Sequence, residues 1–244
     1  MDTMSEIAVK AVPRRGRLWV IALLSVALLG IGYLIVEIST QEPSREVVTV
    51  DGINDAQRIF GGVPQEGDRV GSSNAPVTIQ VFNDMQCGDC RDAYLSTIPA
   101  LVEDYARPGD VQLLWRHYSN SENPIESGFY GAEAAAEQGY GWQYTYLFFR
   151  NQHEAERFGI DRDFLASIAG GIEELDKPAW DEAMDRNYEK DGSITQRLEG
   201  NEELGLELGI RVGQAAIVTG PDGTQTLQDS ASLAEIERAI AAVQ

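Results

Sequence analysis

The sequence predicts an α/β fold: a βαβ unit, a block of helices inserted behind it and a closing ββα unit, all preceded by one apolar helix. Three observations carry the prediction. Residues 75–82 (APVTIQVF) read as a buried strand that turns at 83–86 into a helical pattern at 91–105, where Tyr94, Leu95, Ile98, Leu101 and Val102 share one face. The long stretch between about 121 and 208 carries helical rather than strand periodicity. Residues 215–219 and 224–227 read as two strands about the turn Gly220-Pro221-Asp222-Gly223, followed by an amphipathic helix at 232–243.

Taken in chain order, residues 18–36 (LWVIALLSVALLGIGYLIV) hold no charge, long enough to cross a hydrocarbon layer of roughly 30 Å as a helix. Trp19 and Tyr33 fall near its ends, as interfacial aromatics do, and Lys10, Arg14, Arg15 and Arg17 precede it while Glu37 and Glu42 follow. The positive-inside rule then places residues 1–17 in the cytoplasm as a tail, residues 18–38 across the cell membrane as a single-pass anchor, and the rest outside. A cleaved signal peptide is the rival reading; the run is long for one, and Glu37-Ile38-Ser39-Thr40-Gln41 offers no small-x-small cleavage site. Residues 39–65 read as a linker and N-terminal extension, with a short strand at 47–50 and a helical turn at 56–60. The main domain is expected at 66–244. Within it, Pro108-Gly109-Asp110 turns into a second strand at 111–118, and the βα order implies that this strand lies parallel to the first. Helical patterns follow at 125–138, 142–150, 163–169, 179–188 and 195–208, with Asp161 and Asp176 near candidate starts.

The chain carries 39 acidic and 19 basic residues, a formal charge of −20. Four of each sign lie in residues 1–44, so the excess belongs to the part placed outside, which argues against nucleic acid or an anionic lipid surface as partner.

The two cysteines of the chain stand together as Cys87-Gly88-Asp89-Cys90, where the strand runs into the helix. A helix N-terminus presents unpaired backbone N–H groups and the positive end of the macrodipole, which stabilise a thiolate at Cys87 and make it a nucleophile. Two intervening residues put Cys90 one turn into the helix, within reach of a small disulfide ring, with Cys87 attacking and Cys90 resolving. An oxidising location outside the cytoplasm suits that chemistry. Three other readings stay open: half of a zinc site, which needs two more soft ligands where the chain offers only His117 and His153; a structural staple, which closes too small a loop to gain much; and a pair of inert buried thiols.

The order βαβ, helices, ββα with this motif at the first βα junction resembles the DsbA-like thiol:disulfide oxidoreductases, a thioredoxin-like fold with a helical insertion. The residues that carry the likeness are Gly71-Ser72-Ser73-Asn74-Ala75-Pro76-Val77-Thr78, Phe82-Asn83-Asp84-Met85-Gln86 leading into Cys87, Trp115-Arg116-His117-Tyr118, Leu208-Gly209-Ile210 and Val218-Thr219-Gly220-Pro221-Asp222-Gly223-Thr224. The resemblance spans about residues 59–243. It implies that Cys87 is the nucleophile and Cys90 the resolving thiol, that no cofactor beyond this pair is needed, that the partners are exported client proteins, and that a membrane or soluble redox partner recycles the dithiol.

One position departs from that family, whose members carry a cis-proline in the loop facing the CxxC. Here the matching stretch is Gly213-Gln214-Ala215-Ala216, with Ala215 in the proline's place. A non-proline cis bond costs about 3 kcal/mol, so a trans bond and a reshaped loop are expected, with a backbone N–H that proline lacks. The dipeptide Gly88-Asp89 gives a second inference: the Asp89 carboxylate opposes the Cys87 thiolate, which makes the dithiol a milder oxidant, or even a reductant or isomerase. Arg91 offsets part of this. Asp84 is a candidate for proton transfer to Cys90 and equally a turn or capping residue. His117 reads as a satisfied histidine on a core strand rather than a proton shuttle, and Trp142, Tyr144, Tyr146, Phe148 and Phe149 as packing for the helical block rather than a client groove. A second class of function remains open, a non-catalytic binding or assembly module with a static or metal-holding cysteine pair.

Overall fold

A computed structural model describes residues 49–118, 128–187, 192–210, 214–228 and 231–244. The apolar run at 18–36, its flanks and most of the predicted linker lie outside them. Among the described residues no helix is long and apolar enough to cross a membrane.

A six-stranded sheet organises the domain: strands β1 (Gln65–Glu66), β2 (Arg69–Val70), β3 (Val77–Asn83), β4 (Val111–His117), β5 (Gln214–Gly220) and β6 (Gly223–Leu227) lie in the order β1-β2-β4-β3-β5-β6. Its centre is β3, Val77–Asn83, in which Val77, Ile79 and Val81 enter one hydrophobic core while Phe82 enters another on the opposite face. The predicted βαβ unit holds: β4, Val111–His117, lies parallel to β3, with Val81 beside Trp115 and Asn83 beside His117. On the other side of β3 runs antiparallel β5, Gln214–Gly220, which turns into β6, Gly223–Leu227.

Two short strands were not foreseen. β1, Gln65–Glu66, and β2, Arg69–Val70, form a hairpin that adds to the sheet edge beside β4. Gly67, with φ of 58°, and Asp68 make its two-residue turn, a signal the sequence carries on strands too short to show alternation. The extension before it also folds into the domain: α1, Ile53–Phe60, sends Ala56, Ile59 and Phe60 into the main core, and the Phe60 ring meets Tyr146 edge-on at 6.0 Å. Thr49 and Val50 belong to no strand, contrary to the strand expected at 47–50, whose first two residues lie outside the described set.

Helix α2, Gly88–Leu101, begins three residues earlier than its apolar pattern, because Cys87 caps it. Its buried stripe Cys90, Tyr94, Ile98 and Leu101 follows the helical period and packs on the face of the sheet that carries Val81 and Trp115. The helix passes into a π-helical turn, Val102–Ala106.

Between β4 and β5 come α3, Phe129–Ala136, α4, Gly141–Arg150, α5, Gln152–Phe158, α6, Arg162–Gly170, α7, Lys177–Asn187, and α8, Ser193–Glu207. Helix α5 escaped the sequence reading, and the predicted start of α3 at 125 lies outside the described residues. Every residue of α4 from Trp142 to Phe149 is buried, so its aromatics are core rather than groove lining. Small residues on α3 allow the close approach: a Cβ on Gly131 would sit 2.1 Å from the Tyr144 hydroxyl. The chain closes with α9, Leu233–Val243, started by a capping box of Ser232 and Glu235 and packed through Ile236, Ala239, Ile240 and Val243.

Candidate active site

The C-terminal end of β3, the turn at 84–86 and the first turn of α2 bring both cysteines to one edge of the sheet. Cys87 is the N-cap of α2, and its sulfur accepts the backbone N–H of Cys90 at 3.0 Å. The two sulfurs are joined in a disulfide, with Cα atoms 5.1 Å apart. Cys87 is half-buried and Cys90 is 3% exposed. A thiolate arriving from solvent therefore reaches Cys87, and the leaving sulfur departs inward.

The turn that holds this pair is tied at both ends. Asp84 accepts the N–H of Gln86 on its carboxylate at 2.9 Å and the N–H of Cys87 on its carbonyl at 3.2 Å, which is a turn-forming role. Met85, fully buried, gives its carbonyl to the side-chain N–H of Gln152 on α5 at 2.8 Å, so the helical insertion grips the turn directly. Gly88 opens α2 with nothing among the described residues within 4 Å of where a Cβ would stand. Asp89 is exposed in the first turn. Arg91, the expected counter-charge, bonds the neighbouring Asp92 at 2.9 Å.

Behind the disulfide, the ends of β3 and β4 carry polar side chains in a buried setting. His117 is 3% exposed and fully engaged: its Nδ1 accepts the indole N–H of Trp115, and its Nε2 lies 3.1 Å from Oε1 of Glu133 on α3. An indole can only donate, so the proton of a neutral ring sits on Nε2 and is given to Glu133. The other oxygen of Glu133 accepts from Arg197 on α8 at 2.7 Å. Burial pushes the Glu133 carboxyl up, and the His117 hydrogen bond together with the Arg197 charge more than offset this, so its pKa is lowered. The expected satisfied histidine is thus found with both partners, which also removes it from any zinc half-site. Among the described residues no group of three His, Cys, Asp or Glu side chains is arranged to hold a metal ion.

Beside His117 stands Asn83, fully buried, and neither atom of its side-chain amide has a hydrogen-bond partner among the described residues. Nothing local singles it out, since an asparagine before a turn is ordinary; it faces the core because β3 runs on through position 83, in phase with Val77, Ile79 and Val81. Glu133 and Gln152 escaped for the same reason, each acquiring meaning from a partner on a distant element.

Ala215 is placed inside β5 rather than in a loop ahead of it. It lies opposite Phe82, 2% exposed and clustered with Phe82, Tyr118, Ile210 and Ile217, while Gln214 lies opposite Asn83. The Gln214–Ala215 peptide is trans, as are all bonds among the described residues. Strand pairing of β5 with β3 therefore runs through Ala215.

Comparison with known proteins agrees with this architecture. Residues 65–198 match a family model described as thioredoxin. A curated relative from Bacillus cereus, described as a probable disulfide bond formation protein D, is 26% identical over 137 residues. That match covers 53% of this chain and spans 63% of the relative's length. Among solved structures, oxidised BdbD from Bacillus subtilis superposes with a TM-score of 0.59 at 18% identity, over 73% of this chain and 95% of that one. Alpha-DsbA1 of Wolbachia pipientis gives 0.59 at 15% identity over 72% and 89% of the two chains, and DsbA of Chlamydia trachomatis gives 0.58 at 16% over 71% and 89%. At such identities the superpositions speak for the fold, while the family match covers more than half of the 244 residues. On that match, with its own paired cysteines at the strand-to-helix junction, the chain belongs to the thioredoxin family.

Proposed function

We propose that this protein is a thiol:disulfide oxidoreductase of the DsbA-like kind, held by its N-terminal helix on the outer side of the cell membrane, where it exchanges disulfides with exported proteins. The observation that carries the reading is the Cys87 sulfur: accessible, joined to a buried Cys90, and seated as the N-cap of α2 where it accepts a backbone N–H. The name of the Bacillus cereus relative and the fold of the DsbA proteins point the same way.

In this reading a client thiolate attacks the Cys87 sulfur and Cys90 leaves as a thiolate, giving a mixed disulfide. A second client thiolate then attacks the client sulfur and releases Cys87. The client loses two electrons and two protons, the Cys87/Cys90 pair gains them, and no cofactor takes part. A redox partner must reoxidise the dithiol, or reduce the disulfide if the net direction is the reverse. The helix terminus stabilises the Cys87 thiolate released in the second step.

The test is capture. Cys90→Ser leaves the mixed disulfide without its resolving thiol, so non-reducing gels of cells producing that variant should show Cys87-linked adducts with exported proteins that vanish on reduction. A variant that traps nothing, from a protein whose disulfide also fails to exchange with small thiols, would leave a static cysteine pair as the correct description.

A further inference from the structure

Departure of Cys90 creates a negative charge where the protein is nearly dry. Cys90 is 3% exposed and sits on the stripe of α2 that faces the sheet. One turn further along the same stripe, the Tyr94 ring packs edge-on against Trp115 at 5.3 Å, and Trp115 lies beside Val81. Stepping back one helical turn from Tyr94 reaches Cys90. Stepping one side chain forward on the same face of the sheet reaches Asn83 and His117. Helix period and strand register together direct the buried end of the disulfide toward the ends of β3 and β4, where these two polar side chains stand.

Of that pair, His117 is spent: Trp115 occupies one nitrogen and Glu133 the other. Asn83 is not. Both atoms of its amide are buried without a partner among the described residues, a state that costs free energy in the disulfide form and is offset if another form of the protein pairs the group. The disulfide form supplies no charge to solvate; the dithiol and the mixed disulfide do. We propose that the side-chain N–H of Asn83 donates a hydrogen bond to the Cys90 sulfur once the disulfide opens, which makes Asn83 a catalytic residue for release and return of that thiolate. The inference deepens the thiol:disulfide exchange proposed above and rests on it. In the step concerned, the incoming thiolate forms a bond to the Cys87 sulfur, the Cys87–Cys90 bond breaks with its electron pair staying on Cys90, and the Asn83 amide stabilises the charge until a proton arrives from water.

The experiment titrates Cys90 in the full chain carrying Cys87→Ser, by thiolate absorbance and by alkylation rate against pH, with Asn83, Asn83→Leu and Asn83→Asp. The charged groups around it, His117 on β4, Glu133 on α3, Arg197 on α8, Asp84 in the turn, and Asp89 and Arg91 on α2, are common to all three proteins, so the differences report position 83. Asn83→Leu should raise the Cys90 pKa by about one unit or more, and the isosteric Asn83→Asp should raise it further by setting a carboxylate against the thiolate. In the two-cysteine protein each variant should slow opening of the disulfide by dithiothreitol by about 10- to 100-fold, the loss expected for a hydrogen bond to a charged group. An unchanged Cys90 pKa in both variants would overturn the assignment. Because the titration needs no client, it decides the role of Asn83 even if Cys90→Ser traps nothing.

Discussion

Asp89 lies exposed in the first turn of α2, between the two cysteines in sequence, next to Cys90 and two residues from Cys87. A carboxylate there gains from the helix macrodipole for the same reason that a Cys87 thiolate does, so the two anions compete for one positive terminus. Arg91 bonds Asp92 at 2.9 Å, a side chain that is 71% exposed. Replacing the carboxylate by an amide, Asp89→Asn, should therefore stabilise the Cys87 thiolate and with it the reduced protein. In glutathione equilibration the reduction potential should rise by roughly 10–30 mV, the size of an exposed charge interaction expressed for a two-electron couple. A potential that falls, or a native value as high as roughly −120 mV, would remove Asp89 as the residue that moderates the pair. The cysteines themselves were legible in the sequence because two sulfurs at this spacing before a helix have few other uses. Asn83 was not, because it stands where the strand pattern reads as passing into a turn, and its lack of a partner depends on elements distant in the chain.

Helix α3 is buried along its whole length and tied to its neighbours by one carboxylate. Glu133 joins three elements: His117 on β4 donates to one oxygen, Arg197 on α8 to the other, and α3 itself is buried from Phe129 to Ala136. Removing its charge leaves the Arg197 end without its anion and the His117 N–H with a weaker acceptor. Glu133→Gln should cost about 3 kcal/mol near neutral pH, measured by urea denaturation, at the lower end for a buried pair because Arg197 is 43% exposed. The sign with pH follows from the lowered pKa of Glu133. Its stabilisation is complete above the ordinary glutamate range and is lost as pH falls through the lower folded value, so the gap between native and variant should close in acid. A gap that widened below that range would contradict the network. At this scale the sequence was informative where periodicity ran long, as for β3, β4, α4 and α9. It was silent where an element is fixed by contacts from elsewhere: the two-residue strands exist by pairing, β2 with β4 and β1 with β2, and α5 is held to the cysteine turn through Gln152.

For the whole molecule, the chain divides into a charge-balanced first 44 residues and a strongly acidic remainder. A domain carrying the net −20 is repelled by anionic lipid, so attraction of its surface cannot keep it at a membrane. The proposed anchor is the uncharged run at 18–36, whose midpoint falls near Leu28. That makes attachment sensitive to a single residue. An arginine at the centre of a spanning helix costs about 3 kcal/mol of insertion, enough to change the membrane-bound fraction severalfold for a run that is only just long enough. We therefore expect the native chain to stay in the pellet after alkaline extraction of membranes, with its cysteines reached by reagents added from outside the cell. Leu28→Arg should move much of the protein out of that pellet without altering exchange at Cys87, since the altered residue lies outside the thioredoxin domain. If instead the mature protein begins near residue 40 and is recovered free of membranes, the run is a cleaved signal, and the acidic domain works as a soluble exported enzyme.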